Sequence, residues 1–176
     1  MADLVIDFGE WQEFVERLSS ANTSFKKDLE QFIEALGIEF LDIIQDEIIN
    51  NENFDTGALI NSYTKSEKGN IWVLGNSSYS ITLEIGSELD YAGFVNDGHW
   101  TNKKGELGRW IPGTWNGDRF EYTPNAKTGM YLKQQWVEGS HYFDTALKIM
   151  EKLIPKYVEK WLDNWIQAYL AKFLGG

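Results

Sequence analysis

The stretch FDTGALINSY, Phe54–Tyr63, lies between two parts of the chain that differ in hydrophobic periodicity. Before it, apolar residues recur every three or four positions, which predicts amphipathic helices. After it, short apolar runs separated by glycine-containing turns predict strands. The Asp and Gly residues within the stretch favour a tight turn. We therefore predict that Phe54–Tyr63 carries the chain from a helical region into a sheet.

The tripeptide Asp55-Thr56-Gly57 in this stretch is also the active-site signature of aspartic proteases. Such an enzyme needs two carboxylates that share one proton, each held on a turn after a buried strand. Here the four residues before Phe54 are Asn-Asn-Glu-Asn, at the end of an acidic helical pattern. No apolar strand delivers the turn. We therefore interpret Asp55 as a turn residue, which bonds nearby backbone or caps one helical turn, and not as a catalytic acid.

Three segments show the spacing of amphipathic helices. We predict a short helix over residues 8–19 and a long one over about 24–50, with one apolar and one acidic face. A last long helix follows Asp144, whose side chain can cap it. Pro155 is expected to kink that helix or to begin a second segment.

The middle of the chain predicts strands and an irregular arm. Residues 62–76 predict two strands around a Lys-Gly-Asn turn, 79–85 a third strand, and 90–98 a helical turn closed by Gly98. Residues 100–136 are rich in glycine and aromatics, which is typical of an extended loop or a hairpin arm. We therefore predict one α+β domain over residues 1–176. Its N-terminal helices and long C-terminal helix pack on a mainly antiparallel sheet, and the arm occupies about 100–136.

The net charge of −11 comes from the N-terminal third of the chain. Residues 1–60 contain 14 of the 27 acidic residues but only three of the 16 basic ones. Such a surface repels phosphate, which argues against specific nucleic-acid recognition. The polar face of the predicted long helix carries four acids whose role is either solubility or a functional surface: Glu34, Glu39, Asp42 and Asp46.

Other features of the sequence limit which kinds of functional site are possible. The chain has no cysteine, so disulfides and thiolate metal sites are excluded. The N-terminus does not resemble a signal peptide, and no apolar run is long enough to span a bilayer, so we expect no membrane association. Asp97 and His99 could share one side of an extended segment, but His141 is far away in sequence and a metal site needs a third ligand. We expect no metal, no cofactor and no catalytic residue.

The arm admits two interpretations. Its tryptophans and its basic residues permit stacking on sugars or on single-stranded nucleic acid. They also suit a protein–protein contact, in which Trp, Tyr and Arg are the usual anchors. We favour the protein contact, with Arg109, Trp110 and Trp115 as anchors, because the basic residues of the arm complement the acidic third of another copy.

Three motifs follow one another along the chain. They are Asp55-Thr56-Gly57-x-Leu59-x-x-Ser62, Tyr91-Ala92-x-Phe94-Val95-Asn96-x-Gly98-His99 and Trp136-Val137-x-Gly139. This ordered set resembles the head–tail joining, or tail-completion, proteins of long-tailed double-stranded-DNA phages and prophages. The resemblance covers nearly the whole chain. The sequence departs from the common pattern at Ala58 and at Ile60-Asn61, where basic residues are frequent in the family.

The resemblance implies a structural virion protein and not an enzyme. Such proteins form homo-oligomeric rings at the virion neck, and a hexameric ring is expected here. The expected partners are the tail terminator or tail tube and the head-completion (connector) proteins, and the protein is made in the cytoplasm of the bacterial host. Genome DNA passes without specific binding, so we hypothesise that Glu34, Glu39, Asp42 and Asp46 face the channel or its rim. The alternative is a small phage or bacterial hydrolase or glycan-binding module.

Overall fold

The computed structural model describes residues 25–53, 56–77, 80–103 and 105–174. The predicted helix over residues 8–19 and the side chain of Asp55 therefore lie outside the described residues. The chain divides into two compact units, one formed by residues 1–92 with 141–176 and the other by residues 93–140. Within the described residues, no helix is both long enough and apolar enough to cross a membrane.

Helices and antiparallel strands come in separate runs along the chain, which confirms the predicted α+β class. In chain order the elements are α1 Phe25–Asn50, α2 Ala58–Asn61, β1 Asn70–Asn76, β2 Ile81–Ser87, α3 Ala92–Asp97, β3 Gly98–Trp100, β4 Gly108–Asn116, β5 Arg119–Tyr122, β6 Gly129–Lys133, β7 Trp136–Glu138 and α4 Tyr142–Leu174.

The long helix α1 forms the centre of the first unit and matches the predicted bounds to within a residue. Its buried side chains recur every three or four positions and face α4 and β2: Phe25, Leu29, Ile33, Leu36, Phe40, Ile44 and Ile48. Each fully buried side chain of this size stabilises the fold by roughly 1.5–3 kcal/mol. Gly37 lies where α1 crosses the hairpin, since an added Cβ would collide with the side chains of Leu83 and Trp72.

One of the two strands predicted within residues 62–76 is wrong. β1 begins only at Asn70 and pairs with β2 in antiparallel register, with Trp72 opposite Ile85 and Leu74 opposite Leu83. Residues 62–69 instead form successive turns, closed by bonds such as Tyr63 N–H to the Ile60 carbonyl at 3.0 Å. Buried hydrogen bonds hold these turns, and a local alternation of apolar residues carries no information about such bonds.

The C-terminal helix α4 runs for 33 residues as one element through Pro155, so no second segment begins there. Pro155 has no N–H, so the Glu151 carbonyl lacks its usual helical donor. The helix starts at Tyr142, which places Asp144 in the first turn and not at the cap position. The Asp144 carboxylate lies 3.2 Å from His141 Nδ1. Its negative charge also interacts favourably with the positive end of the helix dipole.

The second unit is mostly strands, so the glycine-rich segment 100–136 is an ordered arm and not a loop. β3 pairs with β7, and β4 lies between β5 and β6, all antiparallel. The predicted helical turn before this segment is α3, and Gly98 ends it with a φ of +81°. That backbone conformation favours glycine, and a Cβ there would also meet the Val137 carbonyl.

Candidate interaction surfaces

The described part of the first motif forms a tight structural turn. Gly57 precedes α2 with a φ of +76°, and the Thr56 hydroxyl accepts a long bond, 3.4 Å, from the Ala58 N–H. Leu59 and Ser62 are buried. The small residue at Gly57 lets the chain reverse, and the apolar and hydroxyl side chains after it face the interior.

A chain of buried hydroxyls joins this turn to both ends of the hairpin. Ser62 Oγ donates to the Leu59 carbonyl at 2.7 Å and accepts from Ser87 Oγ at 2.8 Å. Ser87 Oγ accepts in turn from the Leu89 N–H at 3.2 Å, and Asn70 Nδ2 donates to the Ser62 carbonyl at 2.9 Å. Ser62 therefore connects α2 with the start of β1 and the end of β2.

This network predicts that Ser62→Ala costs more than a surface substitution. The change leaves the buried Ser87 hydroxyl without its acceptor, and an unsatisfied buried polar group costs about 1–3 kcal/mol. The double variant Ser62→Ala/Ser87→Ala removes both hydroxyls and should cost clearly less than the sum of the two single changes. Urea unfolding of the four proteins measures the cycle, and strictly additive free energies would show that the two hydroxyls are not coupled.

Two buried tyrosines connect the first motif, the second motif and α4. The hydroxyls of Tyr63 and Tyr142 lie 3.1 Å apart, and the Tyr142 hydroxyl donates to the Ala92 carbonyl at 3.3 Å. The Tyr63 hydroxyl is therefore the donor to Tyr142. Because both side chains are fully buried, this contact fixes the start of α4 beside the turn at Ala92. Nothing in the local sequence around Tyr63 predicted this role, since its partners are distant in the chain.

The rest of the second motif shapes the base of the arm. The Val95 carbonyl accepts from both the N–H and the hydroxyl of Ser140, at 2.9 and 3.1 Å. Tyr91 is exposed, and His99 is half-buried beside the Phe94 ring, 5.5 Å between centroids. Asp97 accepts from Asn96 Nδ2. The described residues contain no cluster of three or more potential metal ligands, at His99 or elsewhere.

Two of the four acids on the predicted polar face of α1 have partners in the same unit. The Glu34 carboxylate pairs with Lys65 Nζ at 3.0 Å, and Glu39 accepts from the Tyr157 hydroxyl at 3.0 Å. Asp42 and Asp46 are exposed. Glu34 and Glu39 therefore contact other elements of the same unit, whereas Asp42 and Asp46 are the two of the four that are exposed as whole residues.

The contact between Glu39 and Tyr157 predicts a dependence of stability on alkaline pH. The hydrogen bond to Glu39, followed by burial and by the negative charge of Glu39, raises the pKa of Tyr157 above its ordinary value. Unfolded Tyr157 loses its proton near pH 10, before the folded side chain does. The contribution is complete below that pH and is lost as the pH rises through the raised pKa. Tyr157→Phe should flatten this part of the stability–pH profile, and an unchanged profile would contradict the assignment.

A groove of about 280 Å³ lies between α1 and α4. Its lining combines aromatic and apolar side chains with three polar ones: Phe32, Ala35, Leu36, Glu39, Tyr157, Lys160, Trp161 and Asn164. Phe32 and Trp161 stack with ring centroids 4.8 Å apart, and the small Ala35 leaves space beside them. The groove was not anticipated, because the facing helices are remote in sequence.

The arm concentrates the exposed apolar surface of the described residues. Seven of the fourteen large hydrophobic side chains that are exposed belong to the arm, residues 100–136. Trp110 and Tyr131 lie opposite each other on neighbouring strands, and their rings cover Gly129 and Gly108. Trp115 packs edge-on against Phe120, 5.2 Å between centroids, and Arg109 is exposed. This number of exposed apolar side chains makes the arm a candidate interaction surface.

Two proteins of Bacillus subtilis (strain 168) are similar to this chain over most of its length. "Uncharacterized protein YqbI" is 46% identical over 143 residues, which cover 79% of this chain and 84% of that protein. "Phage-like element PBSX protein XkdI" is 42% identical over 134 residues, which cover 76% and 81%. No family model and no solved structure matches the sequence. At this identity and coverage, the chain belongs to the family that contains XkdI and YqbI.

Proposed function

We propose that this chain is a structural protein of a prophage-derived particle and joins the head to the tail at the neck. The observation that carries the proposal is the exposed aromatic surface of the arm in a chain that is 42% identical to a phage-like element protein. Such a surface suits lasting contact with other proteins. The ordered motifs described above support the finer assignment to head–tail joining, and the role is structural and not catalytic.

The proposed partners follow from the same features. Copies of the chain associate into a ring, for which six subunits is the expected number. The ring contacts the connector on one side and the tail terminator or tail tube on the other. Arg109, Trp110 and Trp115 supply the anchors of the arm, because large aromatics and arginine dominate the energy of protein interfaces.

The exposed acids of α1 suit the channel or its rim. Carboxylates at Asp42 and Asp46 would keep the duplex away from the wall, so genome DNA passes without specific binding. The variant Asp42→Lys/Asp46→Lys should assemble but retain or release DNA abnormally. Glu151→Lys/Glu159→Lys makes the same charge change on exposed positions of α4 and is the matched control. Normal DNA packaging and ejection by both variants would contradict the placement of Asp42 and Asp46 at the channel.

Localisation tests the proposal. Particles induced from the host that encodes this chain are purified and labelled with gold-conjugated antibody against it. We expect label at the junction between head and tail. Label confined to the tail tip, or no chain in purified particles, would contradict a neck role. Trp110 and Tyr131 lie over strand glycines and are exposed, and exposed rings also stack on sugars. Glycan-array binding by the purified protein would therefore favour a glycan-binding module instead.

A further inference from the structure

The groove between α1 and α4 has the size and lining of a receptor for one aromatic side chain. Its volume is about 280 Å³, and Phe32, Tyr157 and Trp161 contribute ring surface to its walls. A cavity of about 150 Å³ lined by apolar residues holds a benzene molecule. The groove therefore has room for a bicyclic ring. Such rings bury large areas and anchor interfaces when they enter a fitted pocket.

The polar side of the groove suits an aromatic ring that carries a hydrogen-bond donor. Glu39 already accepts from the Tyr157 hydroxyl, and a carboxylate has the capacity to accept several bonds. Near the start of α1, Asp28 accepts from the indole N–H of Trp165 at 3.0 Å. Acids of α1 thus already serve as acceptors for aromatic donors of α4. An indole in the groove would find the same chemistry at Glu39.

Trp115 is the exposed indole best placed to enter such a groove. It lies two residues before Gly117, whose φ of +62° forms the β4–β5 turn, and its side chain is 59% exposed. Trp110 is equally exposed, at 57%, but its ring lies over Gly129 within the sheet. Arg119 pairs with Asn116 across the same turn, and its charge complements the net negative charge of α1, which has seven acidic and two basic residues.

We propose that the groove of one copy of this chain holds the Trp115 side chain of a second copy. The inference deepens the proposed function and rests on its self-association. The Trp115 indole enters between Phe32 and Tyr157, and its N–H donates to Glu39. Each copy carries both the tryptophan and the groove, and repetition of the contact from copy to copy in one direction is a heterologous arrangement. Heterologous contacts close into rings when the rotation between copies allows it.

The test uses full-length purified protein and two complementary defects. Trp115→Ala removes the inserted ring but keeps the groove, and Ala35→Trp fills the groove but keeps the inserted ring. Ala35 and Asn164 are both exposed lining residues, so Asn164→Trp serves as a second groove variant should the first fail to fold. Tyr122→Ala and Ile49→Trp are the matched controls, since Tyr122 is an exposed aromatic of the arm that the proposed contact does not use, and Ile49 is exposed on α1 and lies outside the groove. Circular dichroism checks the fold of each variant, and sedimentation velocity measures mass.

Wild-type protein and both controls should form oligomers. Trp115→Ala and the groove variants should each weaken self-association about 30-fold or more, the loss of one interface anchor, and sediment as monomers of 20.3 kDa. An equimolar mixture of Trp115→Ala with a groove variant should form a 1:1 heterodimer and nothing larger, because only one productive contact remains.

Three results would overturn the assignment. They are a mixture that stays monomeric, self-association of Trp115→Ala at wild-type strength, and wild-type protein that never self-associates. These measurements need no phage particle. A negative result therefore rejects the groove contact only. The proposed role in joining heads to tails is tested separately by the experiments on particles.

Discussion

Excision of the arm should abolish the joining of heads to tails without unfolding the first unit. Thr101 N–H donates to the Gln135 carbonyl at 3.0 Å, directly beside the paired Trp100 and Trp136. Replacing residues 102–134 by Asn-Gly therefore closes β3 and β7 as a two-residue hairpin. The change removes Trp110 and Trp115, and two anchors of about 2 kcal/mol each correspond to a roughly 1,000-fold loss of affinity.

The measurement is a count of joined particles in a lysate that supplies only the excised protein. Heads and tails should accumulate separately, while the thermal transition of the first unit stays in place. The variant Arg109→Ala/Trp110→Ala/Trp115→Ala keeps the strands and controls for the loss of backbone. Normal numbers of joined particles with the excised protein would show that the arm makes no essential contact.

Tyr63→Ala should be among the most destabilising single substitutions in the chain. Tyr63 is fully buried, its ring lies 5.9 Å from Tyr142 and 6.2 Å from Phe143, and its hydroxyl is the donor to Tyr142. Truncation of a buried aromatic to alanine costs about 3–5 kcal/mol because it opens a cavity. Two-state urea unfolding gives the free energy directly.

The matched variant Tyr63→Phe keeps the ring and removes only the hydroxyl. It should cost about 1 kcal/mol, since the Tyr142 hydroxyl still donates to the Ala92 carbonyl. We expect a large difference in unfolding free energy between the two variants, because the packing of the ring contributes more than the hydroxyl at this position. Equal losses would mean that the hydrogen bond dominates, and a small loss for Tyr63→Ala would show that the site collapses around the cavity.

The helices could be predicted from the sequence because an amphipathic helix is encoded by the spacing of apolar residues that are close together in the chain. The apolar spacing of α1 predicted its bounds to within a residue, and the α+β class followed from the change of period near Phe54–Tyr63. The false strand in residues 62–69 and the choice between a loop and a hairpin for the arm depend on contacts between distant residues. Ser62 and Tyr63 are held by partners elsewhere in the chain, and Gly108, Gly113 and Gly129 enter strands because rings on neighbouring strands cover them.

The groove depended on contacts that a single sequence does not display. Glu39 and Tyr157 are 118 positions apart, and only the packing of α1 on α4 brings them together. The same packing gives Glu39 a hydrogen-bond partner on α4, and Glu34 forms an ion pair with Lys65. Composition correctly indicated an acidic α1, whereas the direction of each carboxylate was decided by tertiary partners.

Restoration of joining by added protein tests the central claim most directly. Heads and tails are collected from a host in which the gene for this chain is deleted, mixed with the purified wild-type protein, and counted by electron microscopy. A neck role predicts that complete particles appear in proportion to added protein, and that the arm-excised protein has no effect. Particles already joined without the chain, or no joining at any concentration of wild-type protein, would contradict the account.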